Sequence, residues 1–500
     1  MLIEKEIVKS FAELFLSLSK EAAIQAHKYL ETHDKISGYC KYPIKHEIFP
    51  KDDPRSVEYF EKIPFLAFDI PKYYIEDFPK ELIQYGAIFS GYGKDCLDCT
   101  KLQEFEPLVR YIMDKSELKK LIVEKEDESS LKLRIKTMTH EIVERYLYSI
   151  NATSDIPDDL EEKIKPFVSE KLLRYLSDEL HIDIYVPICL ATFEDDIIKL
   201  SEQIEIVRIS DDIQKSRQKA CSYEMNNEDW VAACATHMIV LHNYHFKNTE
   251  LFSINSATQD YNAYPLHMID IIMAAIRIIT GYTIGYEQIL TYPIDWIDGF
   301  CADLIPLYGS KGHFVNPKEI EKFWMHLSIS KVNCEQAEHI QTLYSSIIEC
   351  DKDAKKGNLL FALKRFNRCM LRNENDDMAI DATIGLEALL SGGTKGEITY
   401  TISNRMPIVF SHENSDIYLP TNCRSIMKKI YNYRSKIVHG GGIKDKDKYY
   451  ELNGRKIEVE KIAVDFLRYS LLFILHNQEF IDAKKFDEYI DSVIPKNDIL

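Results

Sequence analysis

The stretch Arg424 to Gly442, RSIMKKIYNYRSKIVHGGG, decides how the last part of this 500-residue chain is built. At 3.6 residues per turn, Ile426, Ile430, Tyr433 and Ile437 fall within about 60° of one another, the buried stripe of an amphipathic helix. Arg434 stands at the edge of that stripe. Tyr431, Ser435, Lys428 and His439 follow round the same flank, while Lys429 and Lys436 point elsewhere, toward solvent. Five positions separate Arg434 from His439, so about 140° divides them, and they can line two sides of one groove, particularly when a second copy of the helix packs alongside. Gly440 to Gly442 end the helix and leave the imidazole on its last turn, where the helix dipole favours a protonated histidine.

Helical periodicity recurs over 265–280, 333–350, 357–372, 377–390, 421–439 and 457–477, with Ser391-Gly392-Gly393 as a stop, and predicts an antiparallel all-α bundle for residues 261–500. Before it, His181 to Phe193, Gln203 to Ile209 and His237 to Phe246 are β-branched or alternating and predict a small central sheet within residues 151–260. Residues 1–150 read as a mixed α/β region. A helix from about Leu2 to Leu30 carries Ile3, Ile7, Phe11, Leu14 and Leu18 on one stripe. Prolines then punctuate Tyr39 to Tyr92, which suits strands and loops, and charged helical sequence follows from Glu106 to Leu147. A polar joint lies at Asn151 to Asp159. The fold class expected is therefore α+β and multidomain.

Hydrophobic residues at 45% and charged residues at 28% exclude collagen, long disorder and mucin-like stalks. Lys plus Arg number 62 against 80 Asp plus Glu, a net charge of −18, so a site for a polyanion has to be local. Such an island exists. From Thr421 to Lys456 ten basic residues face three acids, a local +7 that leaves −25 on everything else. The N-terminus has acids inside its apolar positions and no basic leader, and the most apolar stretch, Met268 to Tyr282, is broken by Asp270 and Arg277. Neither a signal peptide nor a membrane span is expected. Eleven scattered cysteines suit a reducing cytoplasm. No phosphate-binding glycine loop and no G-x-S-x-G elbow occurs, which argues against nucleotide-driven enzymes and α/β-hydrolases.

An arginine followed by a histidine after four to six residues occurs four times: Arg134/His140, Arg174/His181, Arg405/His412 and Arg434/His439. Only the last combines an amphipathic helix, a polar residue directly after the arginine and a glycine terminator. The helix YRSKIVHGG, taken with FALKRFNRCMLR (Phe361 to Arg372), DDMAIDATIGLEALLSGG (Asp376 to Gly393) and EITYTISNR (Glu397 to Arg405), resembles the Apea-like HEPN domain of bacterial abortive-infection proteins. The resemblance covers about 355 to 478. It implies a helical bundle that dimerises, a metal-independent ribonuclease whose motif residues correspond to Arg434 and His439, and a part in anti-phage defence. Active members often carry Asn, Asp or His after the motif arginine, where this chain has Ser435.

The chemistry that follows needs few groups. An imidazole can take the proton from a ribose 2′-OH or return one to the departing 5′-oxygen, and a guanidinium fork can neutralise charge on the phosphorane. Catalysis needs no metal, and RNA, with tRNA loops as the first substrate, is the expected partner, cut between two copies of the chain. Ser435, Tyr431 and Lys428 are expected to support RNA, and the first 260 residues to sense an infection trigger. A different class also fits: a non-catalytic, dimeric HEPN scaffold in which Arg434 pairs with a bundle carboxylate such as Glu387 or Asp381 and His439 only caps a helix.

Two further groups stand apart. Cys96-Leu97-Asp98-Cys99 is half of a tetrahedral zinc site that Cys40 and His46 could complete as a structural centre; the alternative is two reduced, buried thiols. On a regular strand His237 and His245 share one face and His242 takes the other, which predicts core or sheet-edge histidines rather than a metal cluster.

Overall fold

The computed structural model describes residues 4–33, 84–90, 96–123, 127–220, 235–248, 254–314, 330–353, 356–392, 398–413 and 415–493. The protein is mixed α and β. Its first helices, α1 (Lys5–Thr32), α2 (Phe105–Met113), α3 (Ser116–Ile122), α4 (Glu128–Ser149) and α5 (Leu160–Leu176), share a hydrophobic core that runs from Phe11 to Tyr175. The joint expected at Asn151 to Asp159 thus lies within this core's span. α4 starts where Asp127 accepts from the Ser130 amide at 2.8 Å, a side-chain cap for an otherwise orphaned donor. The expectation of strands and loops over Tyr39 to Tyr92 falls almost wholly outside the described residues.

The sheet is larger than its sequence signal. Strands β1 (Glu179–Pro187), β3 (Ile197–Lys199), β4 (Ile204–Arg208), β5 (His237–Lys247), β6 (Tyr286–Pro293) and β7 (Tyr308–Phe314) pair in the order β3-β4-β5-β1-β6-β7, every pair antiparallel. A separate parallel pair joins β2 (Ala191–Phe193) to β8 (Ser330–Val332). This corrects the purely helical reading of residues 261–500: β6, β7, β8 and a later hairpin lie there, and the main sheet draws strands from both sides of residue 260. The physical reason is burial. All but one residue of β6 is buried, so the strand shows none of the alternation by which a half-exposed strand is recognised.

A second correction concerns the histidines. His242 and Asn243 together oppose Asp183 on β1, a bulge with Asn243 at φ 64°, so the alternation of β5 shifts by one residue. His237 is buried against Phe193, whereas His242 meets Asp183 at 2.8 Å and His245 lies 3.7 Å from Glu179 on the opposite face. The face-sharing of His237 and His245 is therefore overturned. A cavity of about 360 Å³ beside Lys199, Glu205 and His242 opens on this sheet.

Beyond the sheet, α6 (Asp211–Ala220) precedes β5, and α7 (Leu266–Thr280) packs against the C-terminal helices. Arg277 in α7 is fully buried; its Nε and Nη2 donate to the Ile284 carbonyl at 3.1 and 2.7 Å, and its Nη1 donates to Asn367 at 2.7 Å. Burial pushes its pKa down to about 10. The bundle itself comprises α8 (Cys334–Asp351), α9 (Gly357–Leu371), α10 (Asn375–Leu390), α11 (Ile398–His412), α12 (Cys423–Val438), α13 (Val459–His476) and α14 (Lys484–Val493). α10 is its axis and touches α9, α11, α12 and α13. Gly385 permits that approach, since a Cβ there would stand 2.7 Å from Leu467 Cδ2. The hairpin β9 (Tyr449–Leu452) and β10 (Arg455–Glu458) turns through Asn453 and Gly454, both at positive φ, and follows α12. No helix among the described residues is long and apolar enough to cross a membrane.

Candidate active site

α12 is held in place by its apolar stripe: Ile426, Ile430 and Tyr433 are buried at 0%, 1% and 4% exposure, and Ile437 is half-buried. Tyr433 also donates to Asp376 on α10 at 3.0 Å, which fixes the rotation of the helix about its axis. That rotation sets which side chains reach water. Lys428, Ser435 and His439 are exposed, Arg434 is half-buried, and Tyr431 lies beneath the surface. Tyr431 is therefore not part of the exposed flank with Ser435, but a wall behind Arg434.

The C-terminal end of α12 is a Schellman closure. The Gly441 amide donates to the Lys436 carbonyl at 2.8 Å and the Gly440 amide to Ile437 at 3.2 Å, with Gly440 at φ 66°. His439 is consequently the C-cap residue, exposed, with its ring making no hydrogen bond or ion pair to a described residue. A cation there meets the negative end of the helix dipole. Nothing lies within 4 Å of the point where a side chain would start at Gly440 or Gly442, so the approach to the imidazole is open.

Arg434 also lacks an ion pair among the described residues, and its Nε is shielded from solvent without an acceptor. Behind it, the Tyr431 hydroxyl faces Glu387 of α10; burial first, and then that carboxylate, raise the phenol's pKa, while the nearby Arg434 charge opposes the shift. The other acid named as a partner for Arg434 is taken: Asp381 is clamped by Arg365 at 2.6 Å and Arg372 at 2.9 Å. The competing Arg/His spacings meet different fates. Arg174 is buried and paired with Asp298 at 3.0 Å. Arg405 is buried, bidentate on Asp487 at 3.1 and 2.6 Å. His140 stacks on Phe89, and burial lowers its pKa to about 4.

The basic island divides in two around α12. Lys436 is neutralised by Asp447 at 2.6 Å, and Lys448 lies 3.5 Å from Asp445. Arg424, Lys428, Lys444, Lys446, Arg455 and Lys456 are exposed and form no ion pair among the described residues. Asn432, and Arg424 of the basic island, are exposed on the flank of Lys428 and Ser435; steps of four, three, four and four residues back from His439 are the signal that finds them.

At the Cys96 and Cys99 pair, Cys99 is sealed from solvent and its thiol pushed up to about 12 by burial, while Cys96 is half-buried. Cys40 and His46 lie outside the described residues. Among the described residues no three His, Cys, Asp or Glu side chains are grouped to hold a metal ion. Comparison of the chain with protein-family models, curated proteins and solved structures finds no match.

Proposed function

We propose that this protein is a metal-independent endoribonuclease of the HEPN type, an abortive-infection toxin of cytoplasmic anti-phage defence. In this reading two chains bring their α12 helices together so that Arg434 and His439 of each line a shared cleft. One imidazole removes the 2′-OH proton, the other protonates the leaving 5′-oxygen, and the guanidinium forks bind the charge on the phosphorane. The products are a 2′,3′-cyclic phosphate and a free 5′-OH, and DNA is inert for lack of the nucleophile. Ser435 lies on the exposed side between the pair and can hydrogen-bond a non-bridging oxygen. tRNA loops are the first substrate, since unpaired loops are the accessible form of RNA. A structural zinc at Cys96 and Cys99, if bound, holds the fold and takes no part in the reaction.

The observation that carries the reading is the contrast in pairing. Of the four Arg/His spacings, Arg434/His439 sits on an exposed basic flank with neither member neutralised among the described residues, whereas Arg174 and Arg405 are buried in ion pairs and His140, which follows Arg134, is stacked on Phe89. The test incubates full-length protein, Arg434→Ala and His439→Ala with bulk cellular RNA and tRNA in EDTA. Cleavage by the wild type, at least about 100-fold faster than by either variant, is expected. Equal cleavage by all three, or cleavage that stops in EDTA, overturns the reading. RNA left intact by the wild type at every protein concentration favours the non-catalytic scaffold.

A further inference from the structure

We propose that the exposed flank of α12 is a rail for a single-stranded polynucleotide, holding about four nucleotides to one side of the phosphate that is cut. The proposal rests on the ribonuclease reading for what happens at His439, but the rail itself stands on geometry. Arg424, Lys428, Asn432, Ser435 and His439 are all exposed, and successive members are four, four, three and four residues apart. At 100° per residue they fall within about 80° of one another, and at 1.5 Å per residue they extend along about 22 Å of helix. All five are polar, and no apolar side chain belongs to this set. Both fixed cations, Arg424 and Lys428, are without an ion pair among the described residues, while the neutralised lysines, Lys436 and Lys448, lie off the row.

A hairpin lies beside the far end of the row. The Tyr450 hydroxyl and the Ser425 hydroxyl are 2.7 Å apart, which ties β9 to the start of α12, and Arg455 and Lys456 on β10 are exposed. At the near end, the open space around Gly440 and Gly442 leaves room for a chain to pass the imidazole.

The partner these features fit is a strand of phosphates. A membrane surface would require the apolar face of α12 to be free, and that face, Ile426, Ile430 and Tyr433, is buried in the bundle. A compact anion would use one end of the row only. A flexible polynucleotide meets successive cations along one line, at the short end of the roughly 4 to 16 nucleotides that single-strand sites cover. On a chain of net charge −18 such attraction is confined to the island and should weaken steeply with salt.

The test measures binding apart from cleavage. Labelled oligouridylates of two, four, eight and twelve nucleotides are titrated into full-length His439→Ala, and oligothymidylates, which lack the 2′-OH, into the wild type. Affinity is expected to climb steeply from two to four nucleotides and to change little from eight to twelve. Arg424→Ala combined with Lys428→Ala should lower it at least about tenfold and reduce the slope of log affinity against log salt by about 1.4, two single-strand phosphate contacts at about 0.7 each. Both residues are exposed, and an unchanged urea midpoint shows that the double variant is folded. Length-independent binding, unaltered affinity in the folded double variant, or stronger binding to phosphatidylserine vesicles or to duplex RNA than to single strands overturns the rail. A wild type that binds oligothymidylate with this length dependence and never cuts RNA overturns the nuclease and leaves the rail standing.

Discussion

The seam between the first helices and the sheet, and the outer flank of α12, are made of the same charged residue types put to opposite use. In the seam, Lys171 and Arg174 of α5 are 2% and 1% exposed and are held by Glu141, Asp298 and Asn248. Both of these charges have an answer inside the protein. On α12, Arg424, Lys428 and His439 stand in water with no ion pair to a described residue, and Arg434 keeps a shielded Nε without an acceptor. Arg174 and Arg434 each precede a histidine at a short spacing, so the spacing carries no function by itself. What separates the two regions is whether the fold supplies the counter-charge or leaves the charge facing water.

The largest effect should come from breaking the seam. Arg174→Ala leaves Asp298 with only the longer pair to Lys171 at 3.6 Å and removes the donor to Asn248, and should cost about 3 kcal/mol in urea unfolding, the low end of the cost of removing one partner of a buried pair. His439→Ala should change stability by less than about 0.5 kcal/mol, as expected at an exposed position. If the two variants unfolded alike, the distinction between structural and free charges would be lost.

Acid sharpens the comparison by a smaller step. Burial holds His140 in the helical unit and His237 in the sheet at pKa values of about 4, helped by Lys136 and Arg208 respectively. The unfolded chain takes up these protons near 6.5 and the folded chain only near 4. Stability therefore falls as pH drops through that window, by roughly 2 kcal/mol for each histidine between pH 7 and pH 5. In the bundle the sign is opposite for His476: its hydrogen bond to Glu413 raises its pKa, so its contribution is fully present below the unfolded value and fades as pH rises through the folded one. In the sheet the burial of His242 is outweighed by its contacts with Asp183 and Glu205, which raise its pKa and oppose His237, so hydrogen exchange at pH 5 should show the helical unit opening before α13. Uniform opening would contradict the assignment.

Two glycines give the finest distinction. Gly385→Ala drives a methyl into Leu467 between α10 and α13 and should cost about 1–3 kcal/mol of overpacking. Gly440→Ala meets open space, so its penalty of about 1 kcal/mol comes from the left-handed backbone alone. A smaller melting shift is expected at Gly440 than at Gly385, and on the proposed ribonuclease reading RNA cleavage falls only at Gly440, because its closure places His439.

Local signals were legible where the physics is local. The periodicity over 265–280, 333–350, 357–372, 377–390, 421–439 and 457–477 corresponds to α7, α8, α9, α10, α12 and α13 with ends shifted by a few residues. The local signal misses α11, which carries Pro407 in its interior and a β-branched opening, Ile398-Thr399-Tyr400-Thr401-Ile402, that speaks against helix. β6 was hidden by its own burial, and the shift in β5 by a bulge that depends on the neighbouring strand. At the candidate site, the helix, its apolar stripe and its glycine stop were readable in order, but the burial of Tyr431 was not, since only the neighbouring α10 covers it.

The sequence by itself determined where α12 begins to bury its stripe, where Gly440 ends it, and that a basic island lies on an acidic chain, because helix periodicity, left-handed glycine and net charge are properties of residues close in sequence. Only the tertiary structure decided which charges are spent inside the protein. Asp298 reaches Arg174 and Asp487 reaches Arg405 across long loops of chain, while no described carboxylate comes within ion-pair distance of Arg434. Pairing of that kind depends on three-dimensional proximity between segments distant in sequence, which no local spacing encodes.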